Sequence, residues 1–406
     1  MSDIVVIGAG AAGMLAASVA AQRGNNVLLL ERNDRPGSKL RITGKGRCNL
    51  TNDCDVKAVI ENIPTGGRFL QSVIYGFAPQ DVMALFESLG VPLKTERGGR
   101  VFPQSDKASD IVNALRRYMD QSGVIQKRGR ATKIIAEDKQ VTGVLSSAGE
   151  FKCKSVILAT GGMSYPKTGS TGDGFNMAQA LGHAVTPVRG SLVPLEAERE
   201  ICVRMQGLAL KNIRLTIHDG GAKPVFTDFG ELLFTHFGIS GPTVLTASAH
   251  MREFDKKRYF ALIDLKPALD EKKLDLRILR DFEKYSNRDF SNALGDLLNR
   301  LMIPVFIEKS GIPPGKKVHS ISREERWGLV QLFKAFRIDI DRPQPVEEAI
   351  ITSGGVALGE INPKTMESKL INGLFFAGEV IDADAYTGGF NLQIAWSTAY
   401  AAGQSI

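Results

Sequence analysis

Four short, uninterrupted apolar runs stand out along the chain: IVVI (4–7), VLLL (27–30), the VILA that leads into Thr160, and the LFFA that leads into Gly378. Each is bounded by glycine or polar residues and is too short for a helix, so each predicts a strand buried on both faces, as parallel strands are. Between the first two runs the pattern changes. Met14–Arg23 is a stretch of small and apolar residues that predicts a helix, with Gly24 as its C-cap. Segments 131–140 and 141–154 read as a meander of short strands. LKNIRLTIHDG (210–220) and KRYFALIDL (257–265) predict a small barrel or sheet. The stretch from Pro267 to Phe336 is instead charged and helical in pattern, broken at Pro313-Pro314-Gly315. The last apolar run is followed by a loop and a helix from about Asn391.

The first run flows directly into Gly8-Ala9-Gly10-Ala11-Ala12-Gly13, and the second ends at Glu31. A lone G-x-G-x-x-G is weak, but one set between strand and helix, with an acid closing the next strand, reads as a dinucleotide-binding unit. Gly8 permits the tight turn, Gly10 lets a pyrophosphate approach the backbone, and Gly13 lets the helix pack closely on the strand. The pyrophosphate then meets unpaired N–H groups, those of Ala11 and Ala12 among them, at the positive end of the helix dipole. Glu31 is placed to accept hydrogen bonds from a ribose.

Composition narrows the class without changing it. With 406 residues, 43% hydrophobic and 23% charged, the chain has the make-up of an ordinary globular protein with room for two or three domains. The net charge of +7 is spread along the sequence. It suits anionic ligands without requiring nucleic acid, and no basic tract interleaved with aromatics is present. The four cysteines (Cys48, Cys54, Cys153, Cys202) have neither zinc spacing nor a C-x-x-C, so free thiols and no metal are expected. The uncharged segment IVVIGAGAAGMLAASVAA could pass for a targeting or membrane segment. Its glycine spacing and the preceding Asp3 favour a folded unit, and a cytoplasmic protein with no membrane partner is expected.

SVILATGG (155–162) and GLFFAGEVIDADAYTGGFNLQIAWSTAYAAG (373–403) resemble the flavoproteins with the glutathione-reductase-type FAD fold. A narrower resemblance rests on five ordered segments: 31–52 (ERNDRPGSKLRITGKGRCNLTN), 98–115, 159–174 (ATGGMSYPKTGSTGDG), 230–245 and 352–399. Together they are similar to the BaiN-like, aminoacetone-oxidase-like family of NAD(P)/FAD-dependent oxidoreductases. The resemblance implies an α/β fold, with a Rossmann-like FAD-binding domain over 1–190 and 346–406. An inserted domain over 191–345 would be β-rich over 191–265 and helical over 266–345. It also implies non-covalent FAD, but no single substrate.

The FAD contacts expected on this basis are Gly8, Gly10, Ala11, Ala12, Gly13, Glu31 and Arg32 in the first unit, and Ala131 at the start of the meander. Thr160, Gly161 and Gly162 follow the third run; Gly378, Glu379, Asp382, Gly389, Phe390, Asn391 and Leu392 follow the fourth. The last helix would aim its N-terminus at the flavin edge that becomes anionic on reduction, worth about 0.3–2 kcal/mol. KLRITGKGRCNLTN (39–52) reads as a cofactor-cradling loop. Its Lys39, Arg41 and Arg47 face the two phosphates or an anionic substrate, and Gly46, Cys48 and Asn49 lie close by.

A flavin carries the electron chemistry itself, so catalytic side chains leave little trace in sequence. His236 and Ser240 in FTHFGISGP, and Tyr386 in AYTGG, are the candidates; Asp173 reads as a helix N-cap. Cys48 and Cys54 form C-x5-C, which is not the spacing of a flavin-facing redox disulfide. No second strand–glycine–helix fingerprint is present, so NAD(P)H would bind only transiently. The expected function is an FAD-dependent oxidoreductase that moves hydride between flavin N5 and a small organic substrate, with NAD(P)H or oxygen as the other partner. A flavin-dependent RNA-modifying or RNA-binding protein and a redox-sensing flavoprotein are the two alternatives.

Overall fold

A computed structural model describes residues 2–406, which form two units: residues 2–191 with Pro345–Ile406 (unit 1), and Leu192–Gln344 (unit 2). In unit 1 the four apolar runs become strands of a five-stranded sheet. Its order is Leu374–Phe376, Ser155–Leu158, β1 (Ile4–Ile7), β2 (Val27–Glu31) and Ile125–Arg128, and every pairing is parallel. β1 is buried along its whole length, so both faces need apolar side chains and no alternation can appear. The edge strand IQKR is exposed throughout, and its charges discourage pairing with another chain.

Helix α1 spans Ala11–Gln22, beginning three residues before the expected Met14. Gly10 is its N-cap in extended backbone, and Ala11 and Ala12 enter the first turn at no cost in propensity. The glycine loop therefore contains the helix N-terminus itself. Arg23, not the expected Gly24, is the C-cap of α1, and Gly24 (φ +90°) follows it. It is buried from Ala12 to Ala20, with helix Phe390–Ser405 packed against it. A Cβ on Gly403 would lie 2.9 Å from the Ala16 carbonyl oxygen, so the two helices approach to backbone contact.

The expected loop at Lys39–Asn52 is corrected in its first half. Ser38–Gly46 forms helix α2, with an internal break at Thr43–Lys45 where Gly44 (φ 55°) and Lys45 (φ 59°) turn left-handed. Leu40 anchors α2 in the core, and the Thr43 hydroxyl donates back to the Leu40 carbonyl. The glycines that suggested a loop mark this break.

Unit 2 is a closed antiparallel barrel. Its strands run Leu195–Ala197, Gly238–Ser240, Phe226–Phe234, Ala209–His218, Tyr259–Asp264, Phe336–Pro343 and back to the first. The last of these falls inside the stretch expected to be helical. FRIDIDRP alternates buried and exposed positions over most of its length, a period of two, and closes the barrel against Leu195–Ala197. Helices Glu271–Lys284, Ile303–Ser310 and Arg323–Lys334 precede it in sequence, and Phe306, Phe333 and Phe336 form a fully buried aromatic cluster.

Candidate functional site

Unit 1 carries a cleft beyond the carboxyl ends of its parallel strands, where open α/β sheets bind ligands. It encloses about 1390 Å³ counting its open mouth. Segments from both ends of the chain line it: Gly8 to Ala12, Glu31, Arg32, Lys39, Ala131, Thr160, Gly161, Gly378, Glu379, Asn391 and Leu392.

The glycines of the β1–α1 loop differ in what they are for. A Cβ on Gly8 (φ +102°) would lie 2.6 Å from the Ala159 carbonyl oxygen, and one on Gly13 would lie 1.8 Å from that of Gly8. The protein's own packing demands both. Gly10 has an ordinary φ of −80°, and a Cβ there would meet no protein atom within 4 Å. Its space opens on the cleft, which fits a ligand phosphate approaching the backbone. No side chain caps α1, so its first N–H groups remain available to an anion.

Glu31 ties the rim together. Its Oε2 accepts from the Ala9 N–H (2.7 Å) and its Oε1 from the Asn33 N–H (2.8 Å). A carboxylate offers about four acceptor sites, which leaves room for ribose hydroxyls. Thr160 Oγ1 lies buried on the cleft wall without a hydrogen-bond partner, as a wall atom awaiting a ligand group would. The empty cradle at Gly10, the free helix end, the acid and the orphaned hydroxyl together fit the phosphates and hydroxyls of FAD.

Lys39 and Glu379 meet on the wall as an ion pair, and Lys39 Nζ also reaches Ser164 Oγ at 2.6 Å. Glu379 Oε1 accepts from the Thr352 N–H (2.8 Å) and Ser164 Oγ (3.0 Å), so its carboxylate is already held by the protein. Asn391 bonds both ways to the Ala385 backbone and fixes the start of helix Phe390–Ser405, where Leu392 also lines the cleft. Gly13, Gly162, Asp382, Gly389 and Phe390 are not among the lining residues. A Cβ on Gly389 would lie 2.3 Å from the Thr51 carbonyl oxygen, so this glycine serves packing.

Arg41 and the second half of KLRITGKGRCNLTN lie off the cleft wall: Arg41, Gly46, Arg47, Cys48 and Asn49 do not line it. Arg47 is committed to Glu96 and Asp106 and stacks 4.1 Å over the Phe102 ring. Cys48 is fully buried, and burial pushes its thiol up to about 12, so it stays protonated and unreactive. All four cysteines are free, and among the described residues no cluster could hold a metal ion.

The catalytic candidates fall outside this cleft. His236, exposed in a barrel turn, contacts the Phe237 ring edge-on, and half-buried Ser240 ends strand Gly238–Ser240; both belong to unit 2. Tyr386 is half-buried in unit 1 and donates its N–H to the Asn62 carbonyl (3.0 Å). Sequence reasoning missed Arg130 and gave Asp173 a different role. Gly172, not Asp173, caps helix Asp173–Ala180. The Asp173 carboxylate instead accepts from Arg130 Nε and Nη2 (both 2.9 Å) and Arg32 Nη1 (3.2 Å) on the cleft rim. Burial opposes its charge, but hydrogen bonds from Arg130 and Thr171 and the charges of Arg130 and Arg32 outweigh this and hold the carboxyl below its ordinary value. Its place in the STGDG stretch was the only signal.

Comparisons with known proteins give the family and the fold. Residues 2–405 match the family described as HI0933-like protein Rossmann domain. A ribosomal RNA dihydrouridine synthase from Haemophilus influenzae is 31% identical, covering 100% of this chain and 98% of that protein. A 3-dehydro-bile acid delta(4,6)-reductase from Clostridium scindens is 28% identical, covering 100% of this chain and 99% of that protein. Among solved structures, the 3-ketosteroid-delta4-(5alpha)-dehydrogenase from Rhodococcus jostii RHA1 shares the fold, with a TM-score of 0.53 at 16% identity over 100% of this chain and 96% of that one. The chain belongs to the HI0933-like Rossmann-domain family and is an FAD-dependent oxidoreductase.

Proposed function

We propose that this enzyme moves a hydride between flavin N5 and a carbon of a C=C bond conjugated to a carbonyl, with transiently bound NAD(P)H or oxygen as the other redox partner. Bound FAD supplies the two-electron chemistry. The protein supplies position and electrostatics. The N–H groups at Gly10–Ala12 hold the pyrophosphate at the head of α1, and Glu31 takes the ribose hydroxyls. Asn391 and Leu392, in the first turn of a sixteen-residue helix, favour negative charge gathering beside them.

The observation that carries the cofactor half of this reading is Gly10: a Cβ there would meet no protein atom within 4 Å, which leaves room for a ligand phosphate against the backbone. The bond type is supported by what two relatives' names have in common. The C5=C6 bond of uracil and the 4,6-diene of a 3-oxo steroid are both conjugated to a carbonyl, which makes their terminal carbons hydride acceptors. The same dihydrouridine name, with a net charge of +7, favours a second reading in which the acceptor is a uridine within RNA.

The test is spectroscopic. The purified protein is expected to be yellow, to bleach anaerobically with NADH or NADPH, and to regain colour with either an α,β-unsaturated ketone or a uridine-containing RNA. A colourless chain that takes up no FAD overturns the cofactor assignment. A reduced flavin that oxygen reoxidises, but no conjugated acceptor does, overturns the bond type.

A further inference from the structure

The cleft has an order that follows from its chemistry. If the head of α1 takes the pyrophosphate and Glu31 the ribose, the base must lie beyond Glu31. Strand Ile125–Arg128 pairs with β2 so that Arg128 stands opposite Glu31, and the Gly129 N–H donates to the Glu31 carbonyl at 2.8 Å. Arg130 therefore emerges beside the ribose position. Arg32 leaves the end of β2 on the same rim, and both side chains line the cleft.

One carboxylate holds both guanidinium groups. Asp173 grips Arg130 through two parallel hydrogen bonds of 2.9 Å, and takes Arg32 at 3.2 Å while Arg32 also donates to Thr171 Oγ1 at 2.6 Å. An arginine fixed edge-on by a bidentate acid keeps its flat faces available, and such a face stacks on aromatic rings where an ammonium cannot. The cluster is partly exposed, with side-chain exposures of 54% for Arg130, 32% for Arg32 and 21% for Asp173. An ion pair this open adds little to folding, so stability alone gives it little purpose.

We propose that Arg130, held flat by Asp173 with Arg32 as its second partner, forms the platform on which the adenine of FAD stacks. Arg130 is then a binding residue and Asp173 a positioning residue, and together they select FAD over flavins that lack the adenosine half. The inference rests on reading this cleft as the FAD site.

The test compares FAD, ADP and FMN binding to the full-length, flavin-stripped chain by fluorescence titration. Arg130→Ala should weaken FAD and ADP by about tenfold, leave FMN unchanged, and leave the melting temperature of the flavin-free chain unchanged. Arg130→Lys, which keeps the charge but not the plane, should resemble Arg130→Ala. Asp173→Asn should show the same split more weakly. Equal losses for FAD and FMN, no loss for FAD, or full rescue by Arg130→Lys would each overturn the platform. A wild-type chain that binds neither FAD nor ADP fails at the cofactor reading instead, and that outcome is read before any variant is made.

Discussion

The two units are built on opposite plans. In unit 1 the parallel sheet ends in backbone: glycines, helix N-termini and a buried hydroxyl without a partner surround a space that the protein leaves open. In unit 2 the barrel and its helices fill their interior with side chains, and Phe234, Phe306, Phe333 and Phe336 are each fully buried. One unit is completed by a ligand and the other by itself. An alanine at the cleft-facing Gly10 should therefore be read out as affinity in unit 1, and large-to-small changes as stability in unit 2.

The largest effect expected is in unit 2. Phe333 has no exposed surface and packs 4.5 Å from the Phe306 ring. Phe333→Ala should cost about 3–5 kcal/mol through lost transfer energy and the cavity left behind. Calorimetry should show the transition of that unit falling while FAD affinity holds within twofold. A parallel tenfold loss of FAD affinity would break the comparison, because the barrel would then be supporting the cleft.

A smaller and cleaner effect is expected at Gly10. A methyl group there meets no protein atom, so Gly10→Ala should change the stability of the flavin-free chain by no more than about 1 kcal/mol. Forced against a phosphate, it should cost about 1–3 kcal/mol of binding, or about 5- to 150-fold in FAD affinity. Gly13→Ala is the control. Its Cβ would fall 1.8 Å from the Gly8 carbonyl oxygen, so stability and affinity should collapse together. If Gly10→Ala also lowers the melting temperature of the flavin-free chain by many degrees, the space serves the protein after all.

What the sequence revealed follows the same division. The Gly8–Gly13 loop, Glu31 and the strands around them were legible because a phosphate, a ribose and a buried parallel strand each impose a residue type at a fixed short spacing. Thr160, Glu379 and Asn391 were reached through resemblance, since nothing local says that such distant segments converge. Arg47 reads as a phosphate ligand until its partners are known. Glu96 and Asp106 lie 49 and 59 positions away and claim its guanidinium first. Arg130 and Asp173, 43 residues apart, are unremarkable singly and become a site only as a pair. In unit 2 the alternation of Phe336–Pro343 was readable, but the charged helical stretch before it set the wrong period.

The smallest effect separates the units by pH. His183 in unit 1 is buried between two partners: Nδ1 faces Glu360 Oε2 at 3.1 Å and Nε2 faces Ser368 Oγ at 2.9 Å. Ser368 Oγ already accepts from the Leu370 and Ile371 N–H groups, so its own proton goes to Nε2 and the ring proton sits on Nδ1. A second ring proton would face an oxygen whose lone pairs are taken. Burial, against the pull of Glu360, lowers the pKa of this imidazole below its ordinary 6.5. The unfolded chain then binds a proton that the folded chain refuses. The resulting stability is present above about pH 6.5 and is lost as pH falls from there toward the lowered pKa of the folded chain. His183→Gln should flatten that part of the profile in the unfolding transition of unit 1 and leave the transition of unit 2 unmoved. A profile equally steep in the variant would remove His183 as the group that makes unit 1 acid-sensitive.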